Sequence, residues 1–220
     1  MANVVRRMNE RYMRKFTSCW IPDYPGEKSL AGELTEFDGL KLPRVKHIGP
    51  LSRFGNSRTE AEQYDLLAIF SGPEPQRSLL EKVVYSQLKN SGLKYFVVRG
   101  KITDEPFTDD PQVVNYLNSS ELEKKINASK IVIARSGYST VMDMAALGKK
   151  VIFIPTPGQT EQEYLAWSLS EKGIAYSVSQ ERFNLKEALK KAEVTNGFAR
   201  GGNTAEMLTT VLDEWLAGIG

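Results

Sequence analysis

Thiol and imidazole chemistry are almost absent from this sequence. Cys19 is its one cysteine and His47 its one histidine. A single cysteine cannot close an internal disulfide or build a multi-cysteine zinc site, and a single histidine excludes a histidine-rich metal centre. A Ser-His-Asp triad would have to draw on His47, in His-Ile-Gly-Pro; a half-buried structural histidine is the commoner use of such a residue. No metal site is therefore expected. A run of about 18 apolar residues, the length that spans a bilayer, is also missing. The opening Met-Ala-Asn-Val-Val-Arg-Arg lacks the apolar core of a signal peptide, so a reducing, cytoplasmic setting is expected. Charge of one sign is not in excess either. Lys and Arg total 29 against 27 Asp and Glu, a net charge of +2. With no stretch of five like charges, the clustered basic footprint of a nucleic-acid binder is missing, and no nucleic-acid partner is expected.

What remains is an ordinary folded-domain composition: 220 residues, 41% hydrophobic and 25% charged. That length holds one well-buried domain with an appendage, or two small domains. Residues 3–16 carry Val4, Val5, Met8, Tyr12 and Phe16 at helical spacing, with Arg6, Arg7, Arg11, Arg14 and Lys15 between them. They read as a docked helix with a solvated face, or as a helix lying on the inner face of a membrane. Ser-Cys-Trp-Ile follows as a short strand, Pro22 to Pro43 as loop, and Val45 to Ile48 as a second short strand ending at Gly49-Pro50. A boundary is expected near residue 60, dividing 1–60 from 61–220.

From Asp65 the pattern changes to short apolar runs alternating with helical stretches. The runs are Leu66–Phe70, Tyr95–Val98, Val113–Leu117, Ile131–Ala134, Val151–Ile154 and Ile174–Val178. Helices are expected between most of them, and two more over 184–193 and 203–217. Continuous apolar strands joined by crossover helices make an α/β fold: a Rossmann-like parallel sheet with helices on both faces.

In such sheets ligands bind beyond the carboxyl ends of the strands, where helix N-termini present free amides. Three loops stand out there. Ser71-Gly72-Pro73-Glu74-Pro75-Gln76 reads equally as a phosphate cradle or a plain strand-to-helix turn, because the prolines remove amide donors and Glu74 repels an anion. Arg135-Ser136-Gly137-Tyr138-Ser139-Thr140 places a glycine before two hydroxyls at a helix start, which suits an anion site of amides and hydroxyls. Within it Thr140-x-x-Asp143 also reads as a capping box, and Arg135 as an ion-pair partner. Pro155 to Tyr164 brings Gln159, Glu161, Gln162 and Glu163 to a helix start, where they can bond sugar hydroxyls or simply favour the helix dipole.

The pattern Arg135-Ser136-Gly137-x-x-Thr140-x-x-Asp143, then Gly148, Ile154-Pro155, Gln162-x-x-x-Ala166 and Glu171-Lys172-Gly173, resembles the C-terminal domain of glycosyltransferase family 28. Those are GT-B enzymes related to the peptidoglycan N-acetylglucosaminyltransferase. The likeness is densest over 128–173 and extends more weakly from Asp65 to Trp215. It implies the donor-binding half of a glycosyltransferase that moves a hexose from a UDP-sugar to an acceptor, without metal or cofactor. Ser136, Gly137 and Thr140 would receive the diphosphate, and Asp143 would hold the ribose where the family uses Glu. The backbone near Leu117 would pair with uracil, and Gln162, with Gln159 and Glu161, would meet the sugar hydroxyls. Ser71 and Gly72 replace the family's glycine-rich loop, and Leu165 replaces a usual Asn. Residues 1–60 would then be the end of an acceptor domain plus linker, most of that domain lying outside this chain and carrying the general base. Two other functions fit the same residues: a donor-binding subunit of a split transferase, and a UDP-sugar epimerase or hydrolase.

Overall fold

The computed structural model describes residues 11–36, 44–55, 61–103, 105, 108–200 and 204–218. The chain forms two compact units, Met1–Leu51 with Gly202–Gly220, and Ser52–Gly201. The division differs from the one expected from sequence in two ways. It falls at 51/52, and the C-terminal helix Thr204–Ala217 groups with the N-terminal segment. The cause is visible in side chains: the Trp215 ring packs edge-on to Trp20 with centroids 6.2 Å apart, and Glu214 pairs with Lys46.

In the first unit, residues 11–13 are helical, while residues 1–10 of the expected basic helix lie outside the described residues. Strand β1 (Cys19–Ile21) pairs in parallel with β2 (Val45–His47), which carries the half-buried His47. The segment after β1, expected as loop, is ordered around a buried carboxylate. Asp23 accepts hydrogen bonds from the Leu30 and Ala31 amides at 2.9 and 3.0 Å, and from the Ser29 and Thr35 hydroxyls at 2.7 and 3.0 Å. Several donors converging on one carboxylate satisfy a charge that burial would otherwise penalise.

The second unit runs β3 (Tyr64–Ile69), α1 (Gln76–Leu88), β4 (Tyr95–Val98), β5 (Val113–Val114), α2 (Ser119–Asn127), β6 (Ser129–Ala134), α3 (Tyr138–Leu147), β7 (Lys150–Phe153), α4 (Thr160–Glu171), β8 (Tyr176–Ser177) and α5 (Leu185–Glu193). All neighbouring strands are parallel, in the order β5-β4-β3-β6-β7-β8. This is the Rossmann order, in which the direction of winding reverses between the first strand, β3, and the fourth, β6. Right-handed crossovers then put α1 on one face of the sheet and α3 and α4 on the other.

Burial explains why the strands read as unbroken apolar runs. Leu66, Ala68 and Phe70 of β3 and its end, with Ile131, Ile133, Ile152 and Ile154, join Leu80, Val84 and Leu88 of α1 and Leu185, Ala188 and Ala192 of α5 in one core. The alternate residues Leu67, Val132, Val151 and Phe153 are equally buried and face the other layer. The third run is shorter than expected: β5 ends at Val114, and residues 116–118 belong to no strand.

One glycine on this framework is obligatory. Gly100, just past β4, has φ +68°, and a Cβ there would lie 2.1 Å from the Phe70 carbonyl oxygen. Gly100→Ala is expected to lower the unfolding free energy by about 2–4 kcal/mol, since the clash is with backbone and the left-handed conformation adds strain. Urea denaturation would measure it; a loss under about 0.5 kcal/mol, the scale of an ordinary surface change, would contradict the packing.

Candidate functional site

Because the strands are parallel, the ends of β3, β4, β5, β6 and β7 open on one edge, and the reversal puts the loops after β3 and β6 side by side. Helix α3 begins at the second of these. Its N-cap is Gly137, extended at φ −68° and ψ 150°, with no side chain capping the helix. The amides of Ser139 and Thr140, in the first turn, are thus left open to an outside acceptor. Neither the φ nor the packing needs glycine here: the one atom near an added Cβ is Thr140 Oγ1, at 4.0 Å. A small side chain could stand at this position without a clash.

The other predicted residues divide into those that face this space and those that do not. Ser139 is exposed and Thr140 half-buried at the helix start. Ser136 is fully buried, and its hydroxyl donates to the Gln162 carbonyl at 2.7 Å, tying α3's approach to α4. Asp143 forms no capping box. It accepts from the Ser52 hydroxyl at 2.7 Å and the Arg53 amide at 3.3 Å, and pairs with Arg53 Nε at 3.1 Å. Its carboxylate is taken up by the segment leading into the unit. Burial pushes its pKa above the ordinary value, against the opposing hydrogen bond from Ser52 and the charge of Arg53.

Arg135 is not an exposed ligand contact. It is 1% exposed, donating to the carbonyls of Ile154 (3.0 Å), Pro155 (2.8 Å) and Gln76 (2.8 Å) and to Gln180 Oε1 (2.7 Å). It is not an ion-pair partner either, since every one of these acceptors is neutral. Burial alone lowers its pKa to about 10, which leaves it charged at neutral pH.

Ser71 and Gly72 are exposed at the mouth of the site, Gly72 at φ +100°. The helix that follows them is already capped. Glu74 accepts from the Ser78 amide at 3.2 Å and from Arg77 Nε at 2.9 Å, and these bonds to Ser78 and Arg77 hold its pKa down at about 2. A carboxylate occupying the start of α1 excludes the phosphate-cradle reading of that loop. At α4, Gln162 turns back on its own loop: its Oε1 accepts from the Thr156 amide at 2.9 Å, and its side-chain amide donates to Gln159. Glu163 accepts from the Gly158 amide at 2.9 Å. Of the residues expected to meet a sugar, Glu161 stays exposed and Gln159 half-buried, while Gln162 acts on the loop. Leu117, half-buried beyond β5, keeps its backbone N–H and carbonyl out of the hydrogen bonds of the described residues, as an edge for pairing a base requires.

A buried charge network beside the site was missed from sequence. Arg77 donates to Glu81 at 3.0 Å and to the Arg99 carbonyl at 2.8 Å. Arg99 pairs with the same Glu81 and donates to Asn115 Oδ1 at 2.9 Å. Asn115 Nδ2 in turn holds the carbonyls of Thr103 and Glu105, at 2.7 and 2.8 Å. The available signal was Arg77 and Glu81 four apart on one helix, which reads as a surface pair. Among the described residues, no group of three or more His, Cys, Asp or Glu is placed to hold a metal ion, and no helix is long and apolar enough to cross a membrane.

Comparison with known proteins identifies the family and the fold. The model of the glycosyltransferase family 28 C-terminal domain matches residues 67–205. The chain belongs to that family. An uncharacterized glycosyltransferase of Methanosarcina mazei is 24% identical, covering 81% of this chain and 48% of its own length. The UDP-N-acetylglucosamine--N-acetylmuramyl-(pentapeptide) pyrophosphoryl-undecaprenol N-acetylglucosamine transferase of a Sulfurihydrogenibium species is 26% identical, over 69% of this chain and 43% of its own length. The chain thus spans about half the length of the curated relatives it matches. Among solved structures, the spinosyn forosaminyltransferase SpnP superposes with a TM-score of 0.56 at 12% identity, covering 90% of this chain and 51% of its own. The spinosyn rhamnosyltransferase SpnG, solved with thymidine diphosphate, gives 0.52 at 16% identity, covering 81% and 53%. The fold of the second unit is that of a GT-B half.

Two outcomes follow from the charges. Glu81→Ala leaves two buried arginines without their shared carboxylate and is expected to cost about 3–5 kcal/mol in denaturant unfolding; a loss below 1 kcal/mol would show that the network is not closed. Because the folded pKa of Asp143 is raised, its contribution to stability is present below its unfolded value of 3.8 and is lost as pH rises through the folded value. Asp143→Asn should remove that falling component from the stability–pH profile above pH 3.8, and an unchanged profile would refute the burial effect.

Proposed function

We propose that this chain is the donor-binding half of a metal-independent, cofactor-free glycosyltransferase that takes a UDP-hexose. The diphosphate lies on the amides of Ser139 and Thr140 at the start of α3, beside Ser71 and Gly72. The uracil edge meets the backbone at Leu117, and Gln159 and Glu161 face the sugar. The helix amides stabilise negative charge on the departing diphosphate as the anomeric bond breaks. Deprotonation of the acceptor hydroxyl is assigned to a second domain. Action in the cytoplasm, at the inner face of the membrane, is part of the same reading.

The observation that carries it is Gly137: a glycine with ordinary φ, room for a side chain and an uncapped helix behind it, at the point where the sheet order reverses. A relative solved with a nucleoside diphosphate supports the ligand class. The test uses opposed signs. Gly137→Ser puts a capping oxygen where the phosphate would bind, so it should hold or raise stability by a few tenths of a kcal/mol. By the same contact it should weaken UDP binding about tenfold in calorimetry. Unchanged UDP affinity in a folded Gly137→Ser protein would overturn the assignment.

A further inference from the structure

Tyr116 and Leu117 are suspended between two rigid supports. They belong to no strand or helix, and among the described residues their backbone N–H and carbonyl groups form no hydrogen bond. On one side stands Asn115. Its backbone carbonyl accepts from the Lys101 amide at 2.9 Å, its Oδ1 accepts from Arg99 at 2.9 Å, and its Nδ2 donates to the Thr103 and Glu105 carbonyls at 2.7 and 2.8 Å. On the other side stands Asn118. Its Oδ1 accepts from the Glu121 amide at 3.0 Å, while its own amide donates to the Glu121 carboxylate at 3.1 Å, a reciprocal capping box that fixes the start of α2. Behind Asn115 lies the charge network, in which the buried Arg77 and Arg99 share the buried carboxylate of Glu81. Apolar side chains of similar volume commonly stabilise a fold as well as such a cluster or better, so stability alone gives no reason for it. What it supplies is direction. Arg77 holds the Arg99 carbonyl, Arg99 holds Asn115, and Asn115 stands one residue before the two open peptide groups.

We infer that the chain Arg77–Glu81–Arg99–Asn115 and the Asn118–Glu121 capping box together set the register of Tyr116 and Leu117, and that this register selects uracil over cytosine. The inference rests on the proposed base contact at Leu117 and adds what makes that contact selective. One peptide N–H and one carbonyl can pair with either pyrimidine. Uracil offers its N3–H as donor beside the O4 acceptor, and cytosine offers N3 as acceptor beside the N4 amino donor, so the two edges differ by one hydrogen-bonding position. Backbone free to slide by that much would accept both bases. Backbone held at both ends meets the uracil edge and leaves polar groups unpaired against cytosine, which is how a site rejects a near-isostere. Asn115 and Asn118 are therefore positioning residues, acting through the peptide groups between them.

Calorimetry on the whole chain with UDP, CDP and inorganic pyrophosphate reads the inference as a ratio of affinities. The wild-type chain should bind UDP about tenfold more tightly than CDP. In Asn115→Ala that ratio should fall to about twofold while pyrophosphate affinity stays unchanged, because the register is lost and the phosphate contacts are not. Asn118→Ala, which removes the other support, should give the same collapse of the ratio. A helix cap with no part in recognition would lower stability and leave the ratio alone. A folded Asn115→Ala protein that keeps the wild-type ratio would overturn the inference, as would equal weakening of UDP, CDP and pyrophosphate, the mark of a general structural defect. If Asn115→Ala does not fold, an unchanged ratio in Asn118→Ala would overturn it. A wild-type chain that binds UDP and CDP equally would overturn it too. Absence of UDP binding by the wild-type chain would instead refute the donor-site reading itself.

Discussion

The parallel pairing of β3 with β6 is the contact on which the site depends. Leu66, Leu67 and Ala68 register with Ile131, Val132 and Ile133, and this pairing joins two sets of crossovers that wind away from each other. A polypeptide that winds in both directions from one pair of strands must leave a crevice above that pair, because the loops after them part to opposite faces. The start of α3, the Gly72 turn and the guanidinium of Arg135 all lie along this crevice for that reason. Hydrophobic burial on both faces of β3 and β6 keeps the pairing in register, since a shift by one residue would exchange the residues facing each layer.

Around the crevice, polar side chains are used mainly to hold loops. Glu74 caps α1, Gln162 and Glu163 shape the turn before α4, Ser136 joins α3's approach to α4, and Asp143 secures Ser52 and Arg53. Among the described residues, the amides of Ser139 and Thr140, the backbone of Leu117, Arg135 Nε and Thr156 Oγ1 are not used in this way. A donor held by such groups needs no basic surface, in keeping with a net charge of +2.

The sheet was legible in the sequence because both faces are buried, so each strand reads as a short apolar run between polar helical stretches. At Val113–Leu117 the reading was too long: β5 pairs over Val113–Val114, and Asn115 adds one last backbone bond, accepting from the Lys101 amide, before the chain turns toward Asn118. The motif Arg135-Ser136-Gly137 lies on the loop after β6, where packing commits several of the side chains within the fold. Asp143 looked free for a ribose because its partners, Ser52 and Arg53, are some ninety positions away in the chain. Arg135 reads as an ion-pair partner because burial of a charge without a carboxylate contradicts its residue type. Departures of this kind are decided by tertiary packing, and local pattern does not carry them.

Residue-resolved NMR titration of the chain with UDP tests most directly whether ligand occupies the carboxyl edge of the sheet. Amide shift changes are expected to gather at Gly72, Gly137–Thr140, Leu117 and Gly158–Gln162. Changes gathered instead at the opposite edge, around Leu93, Lys94 and Gln112, or no saturable change at any of these amides, would contradict it.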